Sequence, residues 1–193
     1  IEQTALSLCR GRTVEIGAGA GSHSLWLQDR GTRVEAIDIS PGCVKAMKQR
    51  QVQCVSHMNL FSLEPAGPTP DQGYDTLLML MNGIGIAGSL DGLNLFFQHA
   101  AGLLNPGGQI LADSTDLGVL YTVNPDDPEY FGQTRFTMTY RPKNGQPVTG
   151  QAFDWLYCDP STLAFYAGLH HFETLVLDTD STGKFLARLR FTP

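Results

Sequence analysis

The chain has little charge, few histidines and no long apolar run. Of its 193 residues 17% are charged, and 19 acidic against 13 basic residues leave a formal net charge of −6. That balance disfavours a nucleic-acid partner, whose phosphates need a basic face. No apolar stretch approaches the roughly 18 residues of a membrane-spanning helix, so no membrane span is expected. The four cysteines (Cys9, Cys43, Cys54, Cys158) contain no C-x-x-C pair. They read as reduced, partly buried thiols of a cytoplasmic protein, and no metal site is expected. No signal peptide is visible. The chain starts at Ile1 rather than at a methionine, and a native N-terminal segment is expected to be missing. What is present, 42% hydrophobic residues, suffices for one α/β domain over residues 1–193.

The most informative stretch runs from Arg12 to Leu27, RTVEIGAGAGSHSLWL. It reads as a buried strand (Thr13 to Ile16), three glycines at alternate positions (Gly17, Gly19, Gly21), then a helix. Strand, glycine loop and helix form the first nucleotide site of an open α/β sheet. Asp38 ends the next strand-like run, 17 residues after Gly21. A carboxylate there suits ribose hydroxyls. Dinucleotide sites favour G-x-G-x-x-G; here the spacing is G-x-G-x-G, and Ser22 stands in the third glycine's place.

Strand and helix patterns alternate onward, as in a parallel sheet with helices on both faces. Helices are expected from Ser22 to Arg30, from Pro41 (capped by Ser40) to about Gln51, and from Asp91 to Leu104. Strands are expected at Arg33–Ile39, Val52–Met58, Tyr74–Met81 and Gln109–Thr115. Loops are expected at 59–73 and 82–90, a tight turn at 105–108, and irregular chain over 116–133. A β-ribbon follows at about 133–157, with Asn144-Gly145 as its turn. A short helix from Pro160 and two strands, Glu173–Thr179 and Lys184–Thr192, close the chain as an antiparallel hairpin.

VEIGAGAG together with VEAIDIS resembles the first two motifs of the class I S-adenosylmethionine (SAM) dependent methyltransferases. Five parallel-type strands and a terminal antiparallel hairpin resemble that family's doubly wound, mostly parallel seven-stranded sheet. The ribbon after strand five is a departure. The resemblance implies SAM as cofactor and methyl transfer to a small-molecule acceptor. It implies that Gly17, Ala18, Gly19 and Gly21 admit the amino-acid end of SAM, that Asp38 binds the ribose, and that Ile39 packs on the adenine. Asn59 stands where the family often has an aspartate for the adenine amino group, with Leu60 beside it. Backbone carbonyls of Leu80 and Met81 would hold the ammonium group. Glu15 would order the loop and help place the methionine moiety; a structural acceptor for loop N–H groups is the alternative, and both stay open here.

Asn82 is expected to face both cofactor and acceptor, so it counts among the cofactor-binding residues and, with Asp116 and Tyr121, among the candidate catalytic residues on the acceptor side; Asp113, Ser114 and Thr115 are nearby in sequence. No N/D-P-P-aromatic motif follows strand four, which disfavours the machinery that methylates amide or nucleobase nitrogens. His23 is expected to face solvent, Trp26 to lie in the core, and Asp75 to be structural. The basic and aromatic residues of the ribbon suit a lid or a homodimer contact better than a nucleic-acid grip. Two rivals remain at this point: an NAD(P)-dependent oxidoreductase on a similar sheet, and a non-catalytic subunit of the methyltransferase fold that binds a partner through its ribbon.

Overall fold

The computed structural model describes residues 1–67, 72–124, 126 and 129–192. Parts of the expected 59–73 loop and of the irregular 116–133 stretch, at 68–71, 125 and 127–128, lie outside the described residues, as does residue 193.

A seven-stranded sheet forms the centre. Its strands are β1 (Thr13–Ile16), β2 (Val34–Asp38), β3 (Val55–His57), β4 (Tyr74–Met79), β5 (Leu104–Thr115), β10 (Phe172–Thr179) and β11 (Lys184–Phe191). The spatial order is β10-β11-β5-β4-β1-β2-β3. β1 to β5 run parallel, while β11 pairs antiparallel with both β5 and β10. The expected hairpin therefore closes the sheet.

Both faces of the sheet are covered, which explains the near-continuous apolar run of β4. Leu77 and Met79 join a core built with α4 (Leu90–Leu103) and α5 (Pro160–Gly168), through Phe96, Phe97 and Leu163. Leu78 and Leu80 point the other way, onto α1 (Glu2–Leu8) and α2 (Ser22–Gln28), through Ala5, Leu6 and Leu27. Period-two alternation in a strand buried on both faces produces this split. Helix α3 (Pro41–Gln49) packs Val44 and Met47 on Ala36 of β2. Its start is as expected: Ser40 accepts a hydrogen bond from Cys43 N–H, and Pro41 opens the helix.

One element was not anticipated, and two local expectations are corrected. Helix α1 has no motif that marked it in the sequence; its buried Ala5 and Leu6 are what dock it. The 105–108 segment is not a free turn but the irregular start of β5, with Gly107 at a φ of 73° and a register shift between Tyr74 and Thr76. Regular pairing begins at Gln109, opposite Thr76. Trp26 is only partly buried; it packs against the α1–α2 cluster while Arg30 lies over its ring.

The ribbon consists of two ladders, β6 (Gln133–Phe136) with β9 (Phe153–Leu156) and β7 (Thr139–Tyr140) with β8 (Val148–Thr149). Its base is fastened to the sheet. Cys158 N–H donates to Ser114 Oγ at 2.9 Å, and Leu156 and Cys158 are fully buried. Among the described residues, no helix is long and apolar enough to cross a membrane.

Candidate active site

The strand order reverses between β1 and β4, because β2 and β3 lie to one side and β5 to the other. Open α/β sheets bind ligands at such a switch, beyond the carboxyl ends of the strands. A cavity of about 360 Å³ lies there, within the usual range of roughly 300–1,000 Å³ for small-molecule sites. Ile16 and Gly17 line it from the end of β1, Ile37, Asp38 and Ile39 from β2, and Met58, Asn59 and Leu60 from after β3. Leu80, Met81, Gly83 and Ile86 come from after β4, and Trp155 comes from the ribbon.

The loop geometry follows from its residues. Gly21 has a φ of 77°, and a Cβ there would stand 2.8 Å from Val52 and 2.9 Å from Met47. Only glycine permits both that conformation and that approach of α3. Asp38 braces the loop: Gly19 N–H donates to Oδ2 at 2.9 Å and Ser40 N–H to Oδ1 at 2.7 Å. Each carboxylate oxygen keeps a second lone pair for a hydroxyl. Ile39 and Met81 flank the cavity and are each 68% exposed. Two large apolar side chains left uncovered at one mouth suit a flat, weakly polar ring between them.

The expected site residues divide into two groups. Gly17, Asp38, Ile39, Asn59, Leu60, Leu80 and Met81 line the cavity. Glu15, Ala18, Gly19 and Gly21 are not among the residues that line it. Asn59 Oδ1 already accepts from Phe61 N–H at 3.0 Å, capping a 3-10 turn at Leu60–Ser62. Glu15 is 3% exposed. Its partners are side chains of α2: Ser24 Oγ donates to Oε2, and His23 Nδ1 lies 2.9 Å from Oε1. Neither alternative left open by the sequence named those partners, and His23 turns inward instead of facing solvent.

The acceptor-side candidates do not converge. Met81 and Asn82 take successive left-handed conformations, φ 65° and 58°, a strained pair of the kind that collects at functional sites. Asn82 Oδ1 accepts from Thr115 Oγ1 at 2.6 Å. Asp113 is buried; its Oδ1 accepts from Gly83 N–H at 3.1 Å. Lys184 Nζ stands 3.1 Å from Asp113 Oδ2, an ion pair whose angle falls short of a hydrogen bond. Asp116 lines a second cavity, of about 510 Å³, together with Tyr130, Phe131 and Tyr157. Tyr121 is exposed, with its ring centroid 6.2 Å from that of Phe131.

The sequence reading missed Trp155. Its ring lies so close over Gly85 that a Cβ there would overlap it. The turn Gly83–Ala87 and the ribbon are thus fitted to each other. Phe153, Trp155 and Tyr157 alternate along β9 and beyond, a signal that one ribbon face is covered.

A crystal structure titled as a SAM-dependent methyltransferase from Bacteroides fragilis in complex with S-adenosyl-L-homocysteine (SAH) is 40% identical. It matches 100% of this chain and 77% of that one with a TM-score of 0.86. This chain belongs to the SAM-dependent methyltransferases. The family described as "Methyltransferase domain" matches residues 14–108. The CcbJ methyltransferase from Streptomyces caelestis, 14% identical, matches over 100% of this chain and 89% of its own with a TM-score of 0.72. The glycopeptide N-methyltransferase MtfA with SAM, 12% identical, covers 100% and 86% with a TM-score of 0.65. These two share the fold. No curated protein matches the sequence significantly. SAM is this methyltransferase's cofactor, and the oxidoreductase alternative falls. The donor set of the cavity fits SAM: a carboxylate with spare lone pairs, exposed apolar flanks and a glycine-lined wall.

Proposed function

We propose that this methyltransferase acts on a small-molecule acceptor, with SAM held in the cavity beneath Trp155. The observation that carries the reading is that one cavity gathers Gly17, Asp38, Ile39 and Met81 from three strand ends and is walled by a ribbon side chain. Asp38 would accept the ribose hydroxyls, with Ile39 and Met81 against the adenine. Asn59 and Leu60 would meet the adenine's polar edge. Carbonyls of Leu80 and Met81 would take the ammonium group. Gly19 and Gly21 shape the loop that Gly17 opens, and Glu15 ties its strand to α2.

Bound SAM supplies a methyl carbon already activated by its sulfonium. The chain's own task is alignment and exclusion of water. Trp155 and Ile86 wall the cavity. The second cavity, reached at Tyr157 just past β9 and two residues on from Trp155, would take the acceptor. Asp116 at its wall would remove a proton if the acceptor must lose one. Tyr121 would close its outer edge, and Asn82, tied to Thr115, would set the wall between the two cavities. A cytoplasmic setting would suit the free thiols of Cys9, Cys43, Cys54 and Cys158. The ribbon's outer end exposes Met138, Tyr140 and Val148, which suits a homodimer contact.

Two tryptophans make the site readable by fluorescence. In a Trp26→Phe variant, SAH is expected to change the emission of the remaining Trp155. In Trp155→Phe the response should vanish. A response that survives in Trp155→Phe and is lost in Trp26→Phe would remove the ribbon from the site.

A further inference from the structure

A chain of alternating charges runs behind both walls of the cavity. Glu15 Oε1 lies 2.9 Å from His23 Nδ1, and His23 Nε2 lies 3.5 Å from Glu2 Oε2 on α1. Glu2 Oε1 lies 3.7 Å from Lys184 Nζ, which lies 3.1 Å from Asp113 Oδ2. Asp113 Oδ1 in turn accepts from Gly83 N–H. One end is therefore one residue from Ile16 in the cavity wall, and the other end holds Gly83 in the opposite wall. Helix α1 is the middle link, and its Ala5 and Leu6 share a core cluster with Leu80, a third cavity residue.

We propose that His23, as an imidazolium, is a positioning residue for SAM: it ties Glu15 to Glu2 and so holds α1 and the two cavity walls in one arrangement. The proposal rests on the cofactor site assigned above. The groups facing His23 are Glu15 of β1 and Glu2 of α1, with Lys184 of β11 beyond Glu2. Ser24, its neighbour on α2, is bonded to Glu15, and Cys9 feels the same carboxylate.

The proton is essential to the link. A neutral imidazole has one N–H. If Nδ1–H serves Glu15, Nε2 becomes a lone pair aimed at the Glu2 carboxylate. Acceptor against acceptor opens the contact and leaves α1 tied to the network through Lys184 alone. Hydrogen bonding to Glu15 raises the pKa of His23, burial opposes it, and Glu2 adds to the rise. The imidazolium and its bonds are thus complete below the ordinary 6.5 and are lost as pH rises through the higher folded value.

The test is an NMR titration of His23 in the full chain, with and without SAH, beside calorimetric SAH affinities from pH 6 to 9. Linkage is reciprocal: SAH should raise the His23 midpoint, and affinity should fall about three- to fivefold as His23 deprotonates. Glu2→Gln, on the rim, should lower the midpoint in the ligand-free protein. His23→Asn, which keeps a donor towards Glu15, should bind SAH at the weakened level with a flat pH profile. SAH binding with an unmoved His23 midpoint and no difference between wild type and His23→Asn would overturn this inference alone. No SAH binding at any pH would overturn the cofactor site as well.

Discussion

Single side chains in this protein carry two loads at once. Asp38 braces the glycine loop through Gly19 and Ser40 while presenting free lone pairs to the cavity. Lys184 neutralises a buried carboxylate and also reaches Glu2. Removing one partner of a buried pair leaves an uncompensated charge. Because Lys184 is partly exposed, Lys184→Met is expected to cost about 2–4 kcal/mol, below the full penalty for a sealed pair. Urea denaturation reads this directly, and adding Asp113→Asn should restore part of the loss. An unchanged midpoint in Lys184→Met would show that water already screens the pair. The sequence made Asp38 legible as a candidate because a carboxylate at the end of the second strand follows the glycine loop at a set distance. It could not show His23 or Lys184, whose partners are eight or more residues away and meet only when α1, α2 and β11 pack.

Elements differ in how far local chemistry determines them. β1 runs over Thr13–Ile16, as its residues dictate, since it is short, buried and ended by Gly17. Helix α5 is marked by Asp159 followed by Pro160. Asp159 Oδ1 accepts from the N–H groups of Ser161 and Thr162, and Oδ2 accepts from Tyr130 Oη and Thr162 Oγ1. Burial works against the charged form, but these hydrogen bonds win and hold the carboxyl well below its ordinary 3.8. Asp159→Ala is therefore expected to destabilise the protein by about 1–2 kcal/mol at neutral pH. The sign follows from a depressed folded pKa. The contribution is present above about pH 4 and is lost as pH falls towards the folded value. Denaturation of both proteins at pH 7 and pH 3 checks this; a gap that widens in acid would contradict it. The ribbon shows where local reading stops. Its strands were visible, but Asn144-Gly145 lies inside the longer connection 141–147 rather than forming a two-residue turn, and nothing local said that Trp155 would rest on Gly85 and enter the cavity. That depends on the turn after β4, more than sixty residues earlier.

At the scale of the molecule, topology places the chemistry. Parallel strands β1 to β4 aim their carboxyl ends at one edge, and the reversal of order beside β1 opens the crevice there. The antiparallel β11 brings Lys184 to the buried end of β5 beside Asp113. The methyl donor is thus written in the shared architecture, while on our proposal the acceptor would be read by the ribbon and the second cavity, which no motif describes. Fold and donor follow from the family, but the chemistry of the acceptor has to be argued from a site, for which we propose the second cavity. The central claim is that Asp38 and its cavity hold SAM. It is tested most directly by calorimetric titration of SAH into the full chain and into Asp38→Asn, which keeps one acceptor oxygen but loses the charge. Wild type should bind one equivalent, and Asp38→Asn should bind about 10- to 100-fold more weakly, the worth of hydrogen bonds to a charged group. Equal affinity in the two proteins, or no binding in wild type, would contradict the account.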